Sequence, residues 1–277
     1  MSLAGTAKAT LAIVDDGGYV APSGARLDLR AAIDRAVGGT RLYRPDDLDA
    51  LLAIPPRAPG AAAPRIEVTA ETTASAARRL AADGAVAALN FASAKNPGGG
   101  FLGGAKAQEE DLARCSALYP CLVTQRAYYD ENRACDSMLY TDHVIYSPRV
   151  PFFRDDRLGL LEEPYLCSIV TAPAPNAGEA LRRDPDARPA ISQALARRTA
   201  MVLAIAAAQE ERRLVLGAWG CGVFRNDPAE VAAVFADALA APRLAGAFDR
   251  IVFAIHDRTP ARSTLAAFER RFGGAMP

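Results

Sequence analysis

The run Val86-Ala87-Ala88-Leu89-Asn90, followed by Asn96-Pro97-Gly98-Gly99-Gly100-Phe101-Leu102-Gly103-Gly104-Ala105-Lys106-Ala107-Gln108-Glu109-Glu110, decides the fold. The short apolar segment reads as a buried strand. The five glycines after it free the backbone for tight turns and for close approach to a ligand, and the closing carboxylates mark the start of a helix. Strand, glycine loop and helix make the repeating unit of helix-flanked sheets. A glycine cluster alone is equally the mark of a flexible turn, so the acids that close this one carry the weight.

Outward from this unit the same alternation continues. Ile66-Glu67-Val68 reads as a strand, Thr73 to Ala82 as a helix and Glu109 to Tyr119 as another. Tyr165 to Ala172, Ile191 to Glu211, Arg213 to Ala218, Asp227 to Ala240, Arg250 to Ile255 and Ser263 to Arg271 extend the pattern, which predicts a largely parallel sheet between helices. A second glycine word, Gly217-Ala218-Trp219-Gly220-Cys221-Gly222-Val223-Phe224, follows the strand Leu214-Val215-Leu216 and leads into Asn226-Asp227-Pro228-Ala229-Glu230, where Asp227 can cap a helix and Pro228 fits its first turn. Val223 stands where a Walker A loop needs lysine, and Arg225 where a dinucleotide fingerprint needs glycine. Backbone N–H groups of such a loop can hold a pyrophosphate without a lysine; a tight turn that brings Trp219 and Phe224 into the core is the alternative. Ligands gather at the carboxyl ends of strands, so the two loops are expected to converge on one ligand.

Residues 1–64 carry Pro22, Pro45, Pro55, Pro56, Pro59 and Pro64 around two helical patterns, Ala25 to Val37 and Asp46 to Ile54. They read as an N-terminal helical extension and linker before a main domain over 65–277.

The chain has 277 residues and 51% hydrophobic content, enough for a large core. Lys plus Arg equal Asp plus Glu at 32 each, so no whole-protein field recruits nucleic acid, and an anionic ligand must be held by local donors. The first 25 residues contain one lysine and no arginine, and the early apolar run Leu11 to Val14 is too short for a secretory segment or membrane span, which predicts a cytoplasmic protein without membrane contact. Five cysteines without a C-x-x-C pair speak against a disulfide framework and a zinc site, so no metal and no cofactor are expected. His143 and His256 each adjoin an aspartate, yet no Gly-x-Ser-x-Gly elbow exists for them to serve. Cys221 reads as a small loop residue rather than a nucleophile, for no histidine is predictably near it.

Glu109 and Glu110 point about 100° apart on a helix, so they should have different tasks. Leu112, Cys115 and Tyr119 fall on the buried face, with Asp111 and Arg114 toward solvent. Two acids in a first turn also favour the helix dipole without any catalytic purpose.

Gly98 to Gly100, seven residues before Gln108-Glu109-Glu110, resembles the signature of the poly(ADP-ribose) glycohydrolases, a glycine triplet a short fixed distance ahead of Gln-Glu-Glu. Leu89-Asn90-Phe91-Ala92-Ser93-Ala94, Thr171-Ala172-Pro173-Ala174-Pro175-Asn176 and the word Gly217 to Phe224 resemble the bacterial branch, over about residues 65 to 260. The resemblance implies a macrodomain-like three-layer α/β/α fold with a mixed sheet, and hydrolysis of ribose–ribose O-glycosidic bonds in poly(ADP-ribose) to release ADP-ribose. It implies Glu110 as acid/base and Glu109 on ribose hydroxyls, with Gln108, Asn90 and Asn96 orienting the substrate. Gly98, Gly99, Gly100, Gly220, Cys221, Gly222, Val223 and Phe224 would enclose the pyrophosphate. The expected partners are poly(ADP-ribose) or proteins that carry it, with ADP-ribose as product, bound by a monomer that makes no DNA contact. Two other readings stand beside this one: a module that binds ADP-ribose without cleaving it, and a hydrolase of mono-ADP-ribosyl groups or acyl-ADP-ribose esters.

Overall fold

The computed structural model describes residues 1–53 and 63–273. The chain opens with α1 (Leu3–Asp16), the hairpin β1 (Gly18–Val20) and β2 (Arg26–Asp28), α2 (Arg30–Gly39), β3 (Arg41–Tyr43) and α3 (Pro45–Leu52). Then come β4 (Arg65–Thr69), α4 (Thr73–Ala81), β5 (Ala87–Phe91), α5 (Gln108–Cys115), α6 (Leu118–Val123) and α7 (Arg126–Ala134). The rest is β6 (Val144–Arg154), β7 (Leu160–Ala172), α8 (Ala177–Arg183), α9 (Arg188–Ala208), β8 (Arg213–Leu216), α10 (Pro228–Leu239), β9 (Arg250–Ala254) and α11 (Ser263–Phe272).

Seven strands form one mixed sheet in the order β3-β6-β7-β5-β8-β9-β4. The β3/β6 and β6/β7 pairs are antiparallel, while β7, β5, β8, β9 and β4 run parallel to one another. Side chains alternate across it with period two. Ala87, Leu89, Leu214, Leu216, Ile251 and Phe253 face α9, α10 and α11, whereas Val86, Ala88, Val215 and Val252 face α2, α4, α5, α6 and α7. Both faces are covered, which is the three-layer arrangement the strand–helix alternation predicts.

The segment before Arg65 does not stand apart as a lead-in. β3 pairs with β6 (Leu42 opposite Ile145) and forms the edge of the main sheet. α1 packs on α5 through Ala7, Phe101 and Ala113, and the Thr10 hydroxyl donates to Arg114 O at 2.6 Å. The pattern Ala25–Val37 divides into β2 and α2, and that of Asp46–Ile54 into α3 up to Leu52, with Ile54 and the prolines 55, 56 and 59 outside the described residues.

Two other expectations are corrected. The helix expected over Glu109–Tyr119 ends at Cys115, and α6 starts afresh because Pro120 lacks the N–H a continuous helix needs and fits only in a first turn. Arg114 is fully buried rather than solvent-facing: it donates to Ala105 O at 2.7 Å and pairs with Asp111 at 2.7 Å.

Candidate active site

β5 and β8 are hydrogen-bonded only at their start, where Ala87 pairs with Leu214 and Ala88 with Val215. Beyond that they part, leaving Leu89 O and Phe91 N on the β8 side of β5 without a strand partner. Gln108 fills the gap. Its Oε1 accepts from Phe91 N at 2.9 Å, and its Nε2 donates to Leu89 O at 2.7 Å and to Thr73 Oγ1 at 3.2 Å. The amide thus replaces a strand neighbour and fixes the start of α5 beside the split. Its amide atoms are engaged with the protein and hold α5 in place, in contrast to the expectation that Gln108 orients the substrate.

At the split opens a cleft of about 840 Å³. It receives the carboxyl ends of four of the five parallel strands: Thr72 and Thr73 after β4, Phe91 of β5, Ala218, Cys221 and Gly222 after β8, and Ala254 to Thr259 at and after the end of β9. Asp111, Leu112 and Cys115 of α5 and Leu3 of α1 form another wall. A Cβ on Gly217 would lie 2.8 Å from Ala254 O and 2.9 Å from the Phe91 ring, so only glycine lets the chain turn here.

The second glycine loop is anchored by Trp219, fully buried, whose indole N–H donates to Ala172 O at 3.2 Å. Among the described residues, the backbone N–H groups of Gly222, Val223 and Phe224 meet no acceptor. Three successive free donors stand on an exposed loop, with Val223 84% exposed, an array of the kind that can donate hydrogen bonds to an anion. The first turn of α10 is not available for that purpose, since the Asp227 carboxylate already accepts from Ala229 N and Glu230 N. Phe224 stands 5.8 Å from Tyr140, ring centre to ring centre. The Cys221 thiol lies against the cleft, and burial pushes it up to about 12, which opposes the thiolate a nucleophile needs.

The first glycine loop has another task. Its N–H groups are engaged: Gly99 donates to Asn96 O at 3.0 Å, and Gly100 donates to Glu110 Oε1 at 2.9 Å. Gly99 and Gly100 therefore present no free donors for a phosphate, and the triplet, like Glu109, Glu110, Val223 and Phe224, lies beside the cleft rather than among its lining residues. Gly98 and Gly99 both take positive φ, 67° and 58°, and a Cβ on Gly99 would overlap Oε1 of Glu110 and sit 3.3 Å from Oε2 of Glu109. The triplet is the cradle of the two carboxyl groups.

Those groups differ as their angular offset predicts. Glu109 is 3% exposed; Asn90 Nδ2 donates to its Oε1 at 3.2 Å and Ser93 N to its Oε2 at 2.6 Å. Burial raises its carboxyl to about 8, against the opposing pull of the N–H donors of Ser93, Asn90 and Gly98 and with a smaller push from the Glu110 charge. Glu110 is half-exposed beside Gly100. Asn90 is fully buried and splits its amide between Glu109 and Thr171 Oγ1 at 3.2 Å, so it positions Glu109. Asn96 is exposed, and its backbone carbonyl turns the loop.

His143 is buried away from the cleft with Nδ1 against Thr141 Oγ1 at 3.0 Å, whereas His256 lines the cleft and its Nε2 accepts from Arg258 Nε at 2.6 Å. Asp257 caps α11 by accepting from Thr264 N at 3.0 Å. The cleft walls at Thr72–Ala74, Asp156–Leu158 and Ile255–Thr264 carry no glycine word. The first and last follow the parallel strands β4 and β9 and were detectable by the strand-end rule, whereas Asp156–Leu158 lies in the turn between the antiparallel β6 and β7 and carried no such signal. Among the described residues no group of three or more His, Cys, Asp or Glu side chains could hold a metal ion, and no helix is long and apolar enough to cross a membrane.

A mixed sheet closed by helices on both faces, with a cleft and a row of free backbone N–H groups at the carboxyl ends of its parallel strands, defines a macrodomain-like fold. Within that class the chain belongs to the microbial-type PARG (poly(ADP-ribose) glycohydrolase) catalytic-domain family, whose model matches residues 7–155. It is 49% identical to the poly(ADP-ribose) glycohydrolase of Thermomonospora curvata, with a TM-score of 0.93 over 98% of this chain and 99% of that one. The same enzyme bound to the inhibitor ADP-HPD superposes with a TM-score of 0.89 at 48% identity, covering 98% and 99%. The Deinococcus radiodurans enzyme in complex with ADP-ribose is 50% identical, with a TM-score of 0.83 over 88% of this chain and 98% of that one. A comparison with curated proteins returned no match. The chain is a glycoside hydrolase that acts on poly(ADP-ribose).

Proposed function

We propose that Glu110 is the general acid and base of this hydrolysis. The observation that carries the reading is the hydrogen bond from Gly100 N–H to Glu110 Oε1: it holds one carboxyl oxygen against the loop and leaves the group half-exposed at the helix start. Glu110 protonates the departing ribose 2′-oxygen as positive charge develops at the anomeric carbon, then takes a proton from the water that attacks it. Glu109, held by Asn90 and Ser93, offers its carboxyl edge to the ribose hydroxyls. Gly222, Val223 and Phe224 donate to the pyrophosphate, and Phe224 packs beside the ribose. No carboxylate pair of the usual glycosidase kind is needed, because one side chain serves both steps in turn.

Balanced charge supports a protein that makes no DNA contact and takes its polymer through local donors, and we read it as a monomer that acts in the cytoplasm. The test is Glu110→Gln, which keeps the shape and loses the proton. Polymer hydrolysis should fall by about 10² to 10⁴ while ADP-ribose affinity by calorimetry stays within about twofold. Near wild-type digestion by this variant removes Glu110 from the mechanism.

A further inference from the structure

The second glycine loop leaves β8 without regular structure, yet several of its carbonyls are turned to definite partners. Gly222 O accepts from Arg225 N at 3.1 Å and Phe224 O from Gly178 N at 2.9 Å. Gly220 O accepts twice from one residue, from the backbone N–H and the side-chain Nδ2 of Asn226, each at 3.1 Å. The same Nδ2 donates to Pro175 O at 2.8 Å, beyond the end of β7. Asn226 is 4% exposed, and its Oδ1 is buried without a partner. The amide orientation is fixed by its surroundings, because a flipped group would set oxygen against two carbonyl oxygens. Gly220 takes φ 72°, and a Cβ there would overlap the Asn226 amide. The contact is thus built from both sides: glycine to admit the amide, and asparagine to bridge two carbonyls. An apolar residue would spare the unpartnered Oδ1 but leave Pro175 O without this donor and cut the link between the loop and the end of β7, so the orphaned oxygen is the cost of the bridge.

We propose that Asn226 is a positioning residue for pyrophosphate recognition, tying the loop Gly217–Phe224 to the end of β7 so that the free N–H groups of Gly222, Val223 and Phe224 face a diphosphate. The inference rests on the reading of that loop as the pyrophosphate nest. Trp219 anchors the strand side of the loop and Asn226 the helix side. Between them the loop needs no lysine, and its donors are set before the ligand arrives. Asn226 touches no reacting atom. Its loss should therefore weaken binding and leave the chemical step alone.

Asn226→Asp keeps the shape but opposes a carboxylate to two carbonyl oxygens, and Asn226→Ala removes the bridge without adding charge. Both should raise the ADP-ribose Kd and the polymer KM at least tenfold, with kcat within about twofold of wild type. Adenosine, which has no phosphate, should bind both variants as it binds wild type. Melting curves identify a variant that has lost its fold, and Asn226→Ser, a smaller change, then takes its place. Unchanged ADP-ribose affinity in folded variants, or equal losses for adenosine and ADP-ribose, overturns the proposal. Amide NMR of the wild-type protein separates the premise: if ADP-ribose leaves the Gly222, Val223 and Phe224 signals unmoved, the nest reading itself falls.

Discussion

The backbone N–H of Gly100 donates to Oε1 of Glu110 at 2.9 Å, making one hydrogen-bonded unit of the glycine triplet and the second glutamate, ten residues apart. The fixed spacing between triplet and acids follows from this contact. The loop must leave β5, fold through the positive-φ glycines and return to the first turn of α5 with its N–H aimed at the carboxylate. An insertion between them would displace the donor from the acid.

Gly99→Ala tests that dependence. The new Cβ would overlap Oε1 of Glu110 in a backbone with φ 58°, a conformation that costs a non-glycine residue about 1–2 kcal/mol. The expected result is a loss of at least tenfold in kcat, with Tm lowered by only a few degrees. Steady-state polymer hydrolysis beside a melting curve checks both, and an unchanged kcat would detach the triplet from the acid.

Glu109 makes stability depend on pH with a definite sign. Its folded carboxyl titrates at about 8 and its ordinary value is 4.5, so between these limits the folded protein keeps a proton that the unfolded chain has released. Stability contributed by this group is therefore present below 4.5, declines toward pH 8 and is level above. The steepest slope is about 1.4 kcal/mol per pH unit. Glu109→Gln cannot titrate and should lack this decline. Urea unfolding of both proteins from pH 5 to 9 decides it, and parallel curves would place the Glu109 proton elsewhere.

Much of this architecture was readable from residue order. Alternating apolar runs marked β4, β5, β7, β8 and β9, and the two glycine words marked the loops after β5 and β8. The longest miss was β6, where Pro148, Pro151 and the positive φ of Arg149 interrupt the apolar pattern at a bulge between Ser147 and Val150. β3, three residues long, is a strand only because β6 lies beside it. The division of work between the loops was hidden too. Both look like phosphate cradles in sequence, and only the accounting of hydrogen bonds assigns the donors of one to Glu110 and leaves those of the other free. Arg114 was misplaced because a charged residue is expected outside; its partners, Ala105 O and Asp111, lie on the loop and helix it joins.

Hydrolysis should survive prolonged EDTA treatment, since the proposed chemistry runs through a carboxyl group and backbone donors. Product release measured before and after chelation, and after adding back magnesium or zinc, provides the check. Activity lost in EDTA and restored by a divalent ion would require a metal in the reaction.

Gln108 offers the test of how the cleft itself is built. Where β8 leaves β5, the side chain of Gln108 satisfies Phe91 N and Leu89 O, and it is the first residue of the helix that carries both glutamates. Gln108→Leu fills the same space without either hydrogen bond and leaves two backbone groups at the split without protein partners, each costing about 1–3 kcal/mol where water cannot reach. The expected loss is about 2–4 kcal/mol of stability, together with a fall in kcat as α5 shifts against the glycine loop. Gln108→Glu keeps the acceptor for Phe91 N but sets an oxygen against Leu89 O, so its stability should lie between leucine and wild type. Urea midpoints with unchanged slopes measure the series. A leucine variant as stable as wild type would mean that the split is held open by the packing of Gly217 against Phe91 and not by the amide of Gln108.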